Sequence, residues 1–351
     1  MSRVDLRSDT LTMPTPAMRE AAYTAEVGDD GRTDANGRGE DASVNRLEDY
    51  GAELMGKEAG LFFPTGTLAN FTGVLTHCDR GDSVAADPEL HLVRTEKAAF
   101  MDRFGGLVPV WYHRDAAEMP EIASFEAACS SGVRLACLEN THNFAGGTCT
   151  SLERMQELSA IAKRHAVPVH LDGARIFNAA LALGVPASAI AACADSVQFC
   201  LSKGLGAPVG SLLCGTREYI RAARETRKLL GGIMRQAGIV AAPALEALKT
   251  GISRLHEDHE NARLLGEGLA GFPGITLVPV QTNIVMLNVS GSGKTAPWFE
   301  EQLKDYGVLA KAMGDEHLRF TTYQGVSRDD IVRAVDAFRV FMREMGSQLA
   351  Q

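Results

Sequence analysis

The sequence of 351 residues lacks the features that mark membrane and secreted proteins. No apolar run approaches the roughly 20 residues that a membrane-spanning helix requires. The N-terminal segment MSRVDLRSDTLTMPTP contains no apolar stretch of the kind found in secretion signals. The formal net charge of −9 also disfavours non-specific attraction to nucleic acid or to an anionic membrane. We therefore expect a cytoplasmic protein that has neither nucleic acid nor a membrane as a partner.

Paired cysteines are also missing. The cysteines stand singly, without a C-x-x-C pair or a repeated spacing of the kind that zinc sites and disulfide frameworks show. Several lie in apolar, strand-like segments, where a thiol usually serves as a small buried hydrophobic group. We therefore predict free, buried thiols and assign no metal ligands. The cysteines are Cys78, Cys129, Cys137, Cys149, Cys193, Cys200 and Cys214.

Two glycine-containing segments resemble nucleotide-binding loops, but each lacks a required feature. In NIVMLNVSGSGKT, the phosphate-binding loop would need glycine at its first position, which is Asn288. In GLGAPVG, the turn would have to open a helix, yet Pro208 interrupts it and the following VGSLLCG is typical of a strand. No G-x-S-x-G nucleophile motif is present. A nucleotide-binding protein therefore stays a remote alternative.

Helical and strand-like segments alternate from about residue 57 to about residue 215, with glycines at many junctions. This alternation predicts an α/β fold around a mostly parallel sheet. The segment GDDGRTDANGRGED is poor in apolar residues, which indicates a solvated or site-lining loop. We predict an N-terminal arm and site-lining loop over residues 1–45, a large domain over 46–250 and a small C-terminal α/β domain over 251–351.

Two charged residues stand where apolar strands are predicted to end. Asp172 follows the strand VPVHL, and Lys203 follows the strand SVQFCLS. Ligands of α/β proteins bind at the carboxyl ends of such strands. A buried lysine can supply the neutral amine that a carbonyl cofactor needs, and an ionised carboxylate can keep a pyridine nitrogen protonated. The pair is therefore the arrangement expected for pyridoxal phosphate, although Asp172 alone would more often be a helix cap.

A phosphate-binding turn is predicted in FFPTGTLANF. Thr65, Gly66 and Thr67 follow a strand and open a helix, so that free backbone N–H groups and the helix dipole face an anion. A turn of this composition is by itself more often an ordinary helix cap. Beside Asp172 and Lys203, it becomes the expected site for the phosphate of the cofactor.

The segments that carry these residues resemble the low-specificity L-threonine aldolases, which belong to the β-eliminating lyase group of pyridoxal phosphate enzymes. The resemblance extends over nearly the whole chain. It implies the aspartate-aminotransferase-like fold, also called fold type I, with a mostly parallel mixed sheet in the large domain. The matching segments are VDLRSDTLTMPTPAMREAAYTAEVGDD, SVNRLEDYGAELMGKEAGLFFPTGTLAN, ENTHN, HLDGARIFNAA, SKGLGAPVGS and GGIMRQAGI.

The resemblance implies roles for individual residues. Lys203 matches the lysine that forms the Schiff base, Asp172 the partner of the pyridine nitrogen, and His91 the histidine that stacks on the cofactor ring. His142 matches a histidine near the substrate hydroxyl and is implied as catalytic together with those three. The remaining cofactor-binding residues are Thr65, Gly66, Thr67 and Arg175, with Lys228 and Arg235 reaching the phosphate from a neighbouring subunit. The substrate carboxylate is implied to bind Ser8, Arg175 and Arg319.

Some of these residues also have a purely structural interpretation. Arg319 in HLRFTTY would, without the resemblance, more often be a surface residue of a strand. His91 and His142 could each be structural histidines. A planar guanidinium does suit a fixed carboxylate, because it can donate two parallel hydrogen bonds.

The resemblance implies retro-aldol cleavage of a β-hydroxy-α-amino acid to glycine and an aldehyde, by a homo-oligomer with shared active sites, a tetramer built from dimers. Two segments depart from the family. Its usual GDDVYGEDP is replaced by the longer GDDGRTDANGRGEDAS, which lacks the tyrosine, and EAGG is replaced by EKAAF. Elimination at the β-carbon, or a bulkier or more polar β-hydroxy amino acid, is therefore the alternative within the same chemistry.

Overall fold

The computed structural model describes residues 3–35 and 37–349 and divides into two compact units. The larger unit comprises Pro14–Asn143 and Cys149–Ile252, and the smaller unit comprises Met1–Met13, Phe144–Thr148 and Ser253–Gln351. The three-part division made from the sequence stays a prediction. The first 13 residues group with the C-terminal segment because Val4 and Asp5 form a strand that pairs in parallel with Val308 and Leu309.

The strands have the following bounds in chain order: β1 (Val4–Asp5), β2 (Ala59–Phe63), β3 (Ser83–Ala86), β4 (Val108–Trp111), β5 (Leu135–Glu139), β6 (Val169–Asp172), β7 (Ser196–Cys200), β8 (Ser211–Gly215), β9 (Thr276–Leu277), β10 (Ile284–Asn288), β11 (Val308–Leu309), β12 (Lys311–Ala312) and β13 (His317–Thr321).

The helices have the following bounds: α1 (Pro16–Tyr23), α2 (Ala42–Met55), α3 (Gly66–His77), α4 (Ile122–Ser130), α5 (Leu152–Arg164), α6 (Ile176–Leu183), α7 (Ala187–Ala191), α8 (Arg217–Leu229), α9 (Gly238–Gly251), α10 (Leu255–Leu269), α11 (Ala296–Leu303) and α12 (Arg328–Leu349). A single π-helical turn spans Leu92–Glu96. Among the described residues, no helix combines the length and the apolar character needed to cross a bilayer.

The larger unit is built on a seven-stranded sheet in the order β2-β8-β7-β6-β5-β3-β4. Neighbouring strands are parallel except where β8 pairs antiparallel with both β2 and β7. The central strands β5, β6 and β7 are buried along their whole length, which fits their nearly continuous apolar sequences. The predicted α/β fold with a mostly parallel mixed sheet is confirmed.

The smaller unit contains an antiparallel sheet in the order β12-β13-β10-β9. Its buried core includes Phe299, Phe320 and Phe338. The segment that resembles a phosphate-binding loop lies here. It leaves β10 through a short 3₁₀ turn, and α11 begins only at Ala296, so that the segment is a polar loop and not the start of a helix.

Two further predictions from the sequence concern the cysteines and the segment GLGAPVG. All seven cysteines lie within the described residues, and each is buried and free of a disulfide, as predicted. The segment GLGAPVG leads directly into strand β8 and not into a helix. This geometry excludes the dinucleotide-binding turn for that segment.

A buried network of charges ties the loop before α2 to the body of the larger unit. Asp30 is 1% exposed and pairs with the fully buried Arg227 at 2.6 Å and with Arg224 at 3.2 Å. Arg224 also pairs with Glu48 at 2.8 Å. Burial raises the pKa of Glu48, against the lowering effect of the nearby charge on Arg224. The loop that the sequence predicts to be solvated or site-lining is therefore anchored by one carboxylate in the interior.

The ion pair between Asp30 and Arg227 yields a stability prediction. Arg227→Met should lower the free energy of unfolding by about 3 kcal/mol, because it leaves the buried Asp30 with one cation fewer. Chemical denaturation of the purified variant measures this change. Arg221→Met is the matched control, since Arg221 lies on the same helix and is exposed. Equal losses in the two variants would contradict a special role for the buried pair.

Candidate active site

The candidate site begins where parallel strands of the large sheet end. The strands β2, β3, β5, β6 and β7 run in the same direction, so their carboxyl ends meet at one edge. Glu139 and Asp172 are register partners at the ends of β5 and β6. Asp87 directly follows β3. This edge is the usual ligand-binding position of an open α/β sheet.

Asp172 is a buried carboxylate that accepts two hydrogen bonds. Its Oδ2 accepts from Nδ2 of Asn70 at 2.9 Å, and its Oδ1 accepts from the backbone N–H of Ala174 at 3.0 Å. Asn70 lies one turn after Gly66 on α3, which places its side chain over the end of β6. A carboxylate held in this way faces its neighbours as a hydrogen-bond acceptor. The geometry therefore suits Asp172 to a partner that carries a positive charge.

His91 stands directly before the π-helical turn, and its Nδ1 lies 3.0 Å from Oε1 of Glu96. The relevant atoms of His91, Glu96 and Asp172 all lie within 4.8 Å of one another. Burial lowers the pKa of His91, but the hydrogen bond to Glu96 and the charge on Asp172 outweigh it and raise the pKa overall. The structure thus brings together two of the predicted catalytic residues, His91 and Asp172.

Lys203 lies in a tight turn three residues after the end of β7, and it is half-buried. The turn is closed by a hydrogen bond of 2.9 Å from the N–H of Gly206 to the carbonyl of Lys203. Gly206 has a φ of +83°, a conformation that glycine adopts readily. Since β6 and β7 are parallel neighbours, the turn starts at the same edge of the sheet as Asp172.

The predicted phosphate turn forms the start of α3. The hydroxyl of Thr65 caps this helix by accepting from the N–H of Leu68 at 3.1 Å, and Thr65 and Thr67 are exposed. A Cβ on Gly66 would lie 2.9 Å from Sγ of Cys200 and 3.1 Å from Nε2 of Gln198. Only glycine fits this close approach to β7. The turn therefore presents unpaired backbone N–H groups to solvent beside the strand that leads to Lys203.

His142 is buried, and its Nε2 lies 3.2 Å from Oδ2 of Asp87. The same carboxylate oxygen lies 2.9 Å from Nε of Arg114. Burial alone would raise the pKa of Asp87, but the hydrogen bonds from His142 and from the N–H of Glu89 lower it overall. An ionised Asp87 fixes the orientation of the His142 ring, as a carboxylate does for a histidine that exchanges protons.

Glu139 is a second buried carboxylate at this edge. It accepts from the N–H of His91 at 2.6 Å and from the N–H of Asn143 at 2.8 Å. Burial raises its pKa, against the lowering effect of the nearby His142. Glu139 thereby holds the backbone of His91 and that of Asn143, the residue after His142.

The predicted carboxylate-binding residues fall in both units. Arg175 precedes α6 in the larger unit, is buried, and lies 3.4 Å through Nη1 from Oδ1 of Asn143. In the smaller unit, Arg319 of β13 donates from Nη2 to the carbonyl of Arg7 at 3.3 Å. Ser8 follows Arg7 and caps a short 3₁₀ turn by accepting from the N–H of Thr10. Arg319 therefore contacts the residue that directly precedes Ser8.

The two residues predicted to act across a subunit boundary lie on the surface of the larger unit. Lys228 is exposed in the last turn of α8. The side chain of Arg235 is 62% exposed and forms an ion pair with Asp29 of the same chain. Their role toward the phosphate stays a prediction.

Comparison with known proteins identifies the family. The family model described as beta-eliminating lyase matches residues 5–292. The chain is 41% identical to low-specificity L-threonine aldolase 1 of Arabidopsis thaliana, over 98% of each chain. The chain belongs to the beta-eliminating lyase family. It is also 39% identical to the low specificity L-threonine aldolase of Escherichia coli K12, over 97% of this chain and 99% of that one. The solved structure of a Leishmania major threonine aldolase superposes with a TM-score of 0.78 at 19% identity, covering 96% of this chain and 99% of that chain.

The beta-eliminating lyase family uses pyridoxal phosphate, and the donor groups of this site fit that cofactor. Asp172 would pair with the pyridine nitrogen, and His91 would lie against the ring. The amine of Lys203 would hold the aldehyde carbon, and the start of α3 would bind the phosphate. The close packing at Gly66 is the observation that supports the phosphate position most directly. The chain is accordingly a pyridoxal-phosphate-dependent lyase of fold type I.

The sequence alone did not identify several residues of the site. Asn70, Glu96, Asp87 and Glu139 act through contacts with predicted residues, and such contacts depend on the fold. A signal existed for two of them, because Asp87 and Glu139 end apolar strand segments just as Asp172 does. Asn70 could have been found as the residue one helical turn after Gly66, on the same face of α3.

The close packing at Gly66 yields a prediction for this lyase. Gly66→Ala should raise the dissociation constant of pyridoxal phosphate about tenfold, because the new Cβ must push the start of α3 away from β7. Titration of the apoprotein, followed by cofactor absorbance, measures this constant. Gly346→Ala serves as the control, since a Cβ at that position meets open space. An unchanged constant for Gly66→Ala would place the phosphate elsewhere.

Proposed function

We propose that this lyase is an aldehyde-lyase that splits a β-hydroxy-α-amino acid of the threonine type into glycine and an aldehyde. The observation that carries the proposal is the buried pair of His142 and Asp87 at the edge of the sheet that also holds Asp172. A positioned histidine can take the proton of the substrate's β-hydroxyl group, which retro-aldol cleavage requires. The two threonine aldolases that match nearly the whole chain at 41% and 39% identity support the same reaction.

Side chains of the protein bind the cofactor and the substrate and transfer the proton. Pyridoxal phosphate, when bound, joins the substrate amine and accepts the electron pair of the bond that breaks. Lys203 would hold the cofactor before the substrate arrives. Asp172, held by Asn70, would keep the pyridine nitrogen protonated. His91 would cover one face of the ring.

The proton balance centres on His142. It takes the proton from the β-hydroxyl group as the bond between Cα and Cβ breaks, so that the hydroxyl becomes the carbonyl of the leaving aldehyde. The electron pair stays on the Cα side, and a proton delivered to Cα completes glycine. Asp87 stabilises the protonated His142 ring because the two groups then carry opposite charges at hydrogen-bond distance.

The substrate carboxylate decides which bond breaks. We assign it to Ser8, Arg175 and Arg319, as the resemblance to the threonine aldolases implies. Only a bond perpendicular to the cofactor ring overlaps with its π system, so fixing the carboxylate and the amine selects the bond to Cβ. Arg319 is 8% exposed and therefore presents little of its guanidinium to bulk water.

A related lyase reaction on a different β-substituted amino acid is the second candidate. It is favoured by the two segments that depart from the family, the loop around Asp30 and the segment EKAAF, which begins at Glu96. Lys97 in the second segment adopts a φ of +62°, so the chain turns sharply there without glycine. We further propose that the protein works in the cytoplasm as a homo-oligomer in which Arg235 reaches a neighbouring site.

A product assay tests the proposed reaction. The holoenzyme should release glycine and acetaldehyde in equal amounts from L-threonine or L-allo-threonine, and Lys203→Ala should lower the rate by at least about 1000-fold. Amino-acid analysis together with an alcohol-dehydrogenase-coupled assay measures both products. Ammonia and a keto acid in place of glycine would contradict the proposal and support elimination.

The contribution of His142 is tested through its partner Asp87. Asp87→Asn should lower kcat about 100-fold, because the neutral amide no longer stabilises the protonated ring. Glu118→Gln is the matched control, since Glu118 is exposed and contacts the same Arg114. Equal effects of the two changes would rule out a specific role of Asp87.

A further inference from the structure

A continuous chain of buried hydrogen bonds leads away from Asp172 into the larger unit. Oδ1 of Asn70 lies 3.2 Å from Nε2 of His170, and Nδ1 of His170 lies 2.9 Å from Oγ of Ser196. The same Oγ lies 2.9 Å from Nε2 of His77, at the end of α3. Asn70, His170 and Ser196 are each 1% exposed or less. Of these groups, His170, Ser196 and His77 have no part in the proposed reaction steps, and Asn70 enters them only as the donor to Asp172.

The carboxylates at one end of the chain fix the direction of every hydrogen bond in it. Nδ2 of Asn70 lies 2.9 Å from Asp172 and 3.2 Å from Glu96. Because both carboxylates accept here, this atom is the amide nitrogen, and the amide oxygen faces His170. Nε2 of His170 then carries a proton and donates it to Asn70.

A neutral His170 has only one ring proton, so its Nδ1 must accept from the hydroxyl of Ser196. Burial lowers the pKa of His170 to about 3, which keeps the ring neutral at physiological pH. Burial likewise lowers the pKa of His77 to about 4. Ser196 in turn accepts from Nε2 of His77. Every hydrogen bond between His77 and Asp172 is therefore donated in the same direction, from the His77 end toward Asp172.

Close packing holds the rings of this chain in place. A Cβ on Gly73 of α3 would lie 2.7 Å from Cε1 of His170, so the helix backbone closes directly over that ring. The ring of His77 stacks on that of Tyr219 with centroids 4.5 Å apart and an angle of 26° between the planes. The imidazoles therefore have little freedom to flip and reverse the chain.

We propose that Asn70 and His170 are positioning residues for the cofactor: His170 orients the amide of Asn70, and Asn70 holds the Asp172 carboxylate toward the pyridine nitrogen. This inference rests on the proposed use of pyridoxal phosphate and adds two residues outside the reacting groups. The proton on Nε2 of His170 is the decisive feature, because it holds the amide oxygen of Asn70 and so fixes the plane in which the amide nitrogen donates to Asp172.

Two substitutions of His170 separate this role from simple packing. Gln places its amide nitrogen near the position of Nε2, whereas Asn places its amide near the position of Nδ1. His170→Gln should therefore keep the donor to Asn70, and His170→Asn should lose it. Both variants are polar, and because Asn is the smaller of the two, the free energy of unfolding is measured beside the cofactor affinity: a purely structural role predicts that the two quantities change together.

The experiment is a titration of apoprotein variants with pyridoxal phosphate, followed by cofactor absorbance. Asn70→Leu and His170→Asn should raise the dissociation constant at least about tenfold, because a hydrogen bond to a buried charge, or the group that orients it, is lost. His170→Gln should stay within about threefold of the wild-type constant. Thr76→Val is the control, since Thr76 lies on the same helix and donates only to the carbonyl of Thr72 and toward Thr226.

Three results would overturn the inference. Wild-type affinity in both Asn70→Leu and His170→Asn would show that the chain of hydrogen bonds does not influence cofactor binding. Equal losses in His170→Gln and His170→Asn would show that His170 acts by packing. If the wild-type apoprotein itself took up no pyridoxal phosphate, the proposed function would fail and this inference with it, whereas binding by the wild type with no effect of the variants would remove the inference alone.

Discussion

The candidate site depends on one buried carboxylate, Asp172, whose two oxygens each accept a hydrogen bond. Burying a carboxylate without donors is costly, so such a group needs hydrogen-bond partners in the interior. Here the donors are the amide of Asn70 and the N–H of Ala174. The position of Asp172 follows from the parallel strands, whose carboxyl ends meet at one edge and bring His91 and the turn of Lys203 to the same place.

The features that could be predicted from the sequence are those set by local chain chemistry. Asp172 and Lys203 follow apolar strand segments, and Thr65-Gly66-Thr67 opens a helix, so both could be read from strand and turn patterns. The resemblance to a known family supplied the histidines and arginines. The mostly parallel sheet follows from the alternation of strands and helices along the chain.

The features that could not be predicted are contacts between residues far apart in the sequence. Asn70 meets Asp172 across 102 positions, and Asp30 meets Arg227 across 197. A loop as polar as the one around Asp30 carries no pattern that shows one of its carboxylates to be buried. The grouping of the first residues with the C-terminal segment depends on the pairing of β1 with β11, which is equally non-local.

Covalent trapping of the cofactor tests the central claim, that this edge of the large sheet holds pyridoxal phosphate on Lys203. Borohydride reduction of the holoenzyme followed by digestion and mass spectrometry locates the reduced adduct. We expect a single modified peptide that carries the adduct on Lys203 and loss of the yellow absorbance on reduction. An adduct on any other lysine, or a protein that gains no adduct, would show that Lys203 does not hold the cofactor.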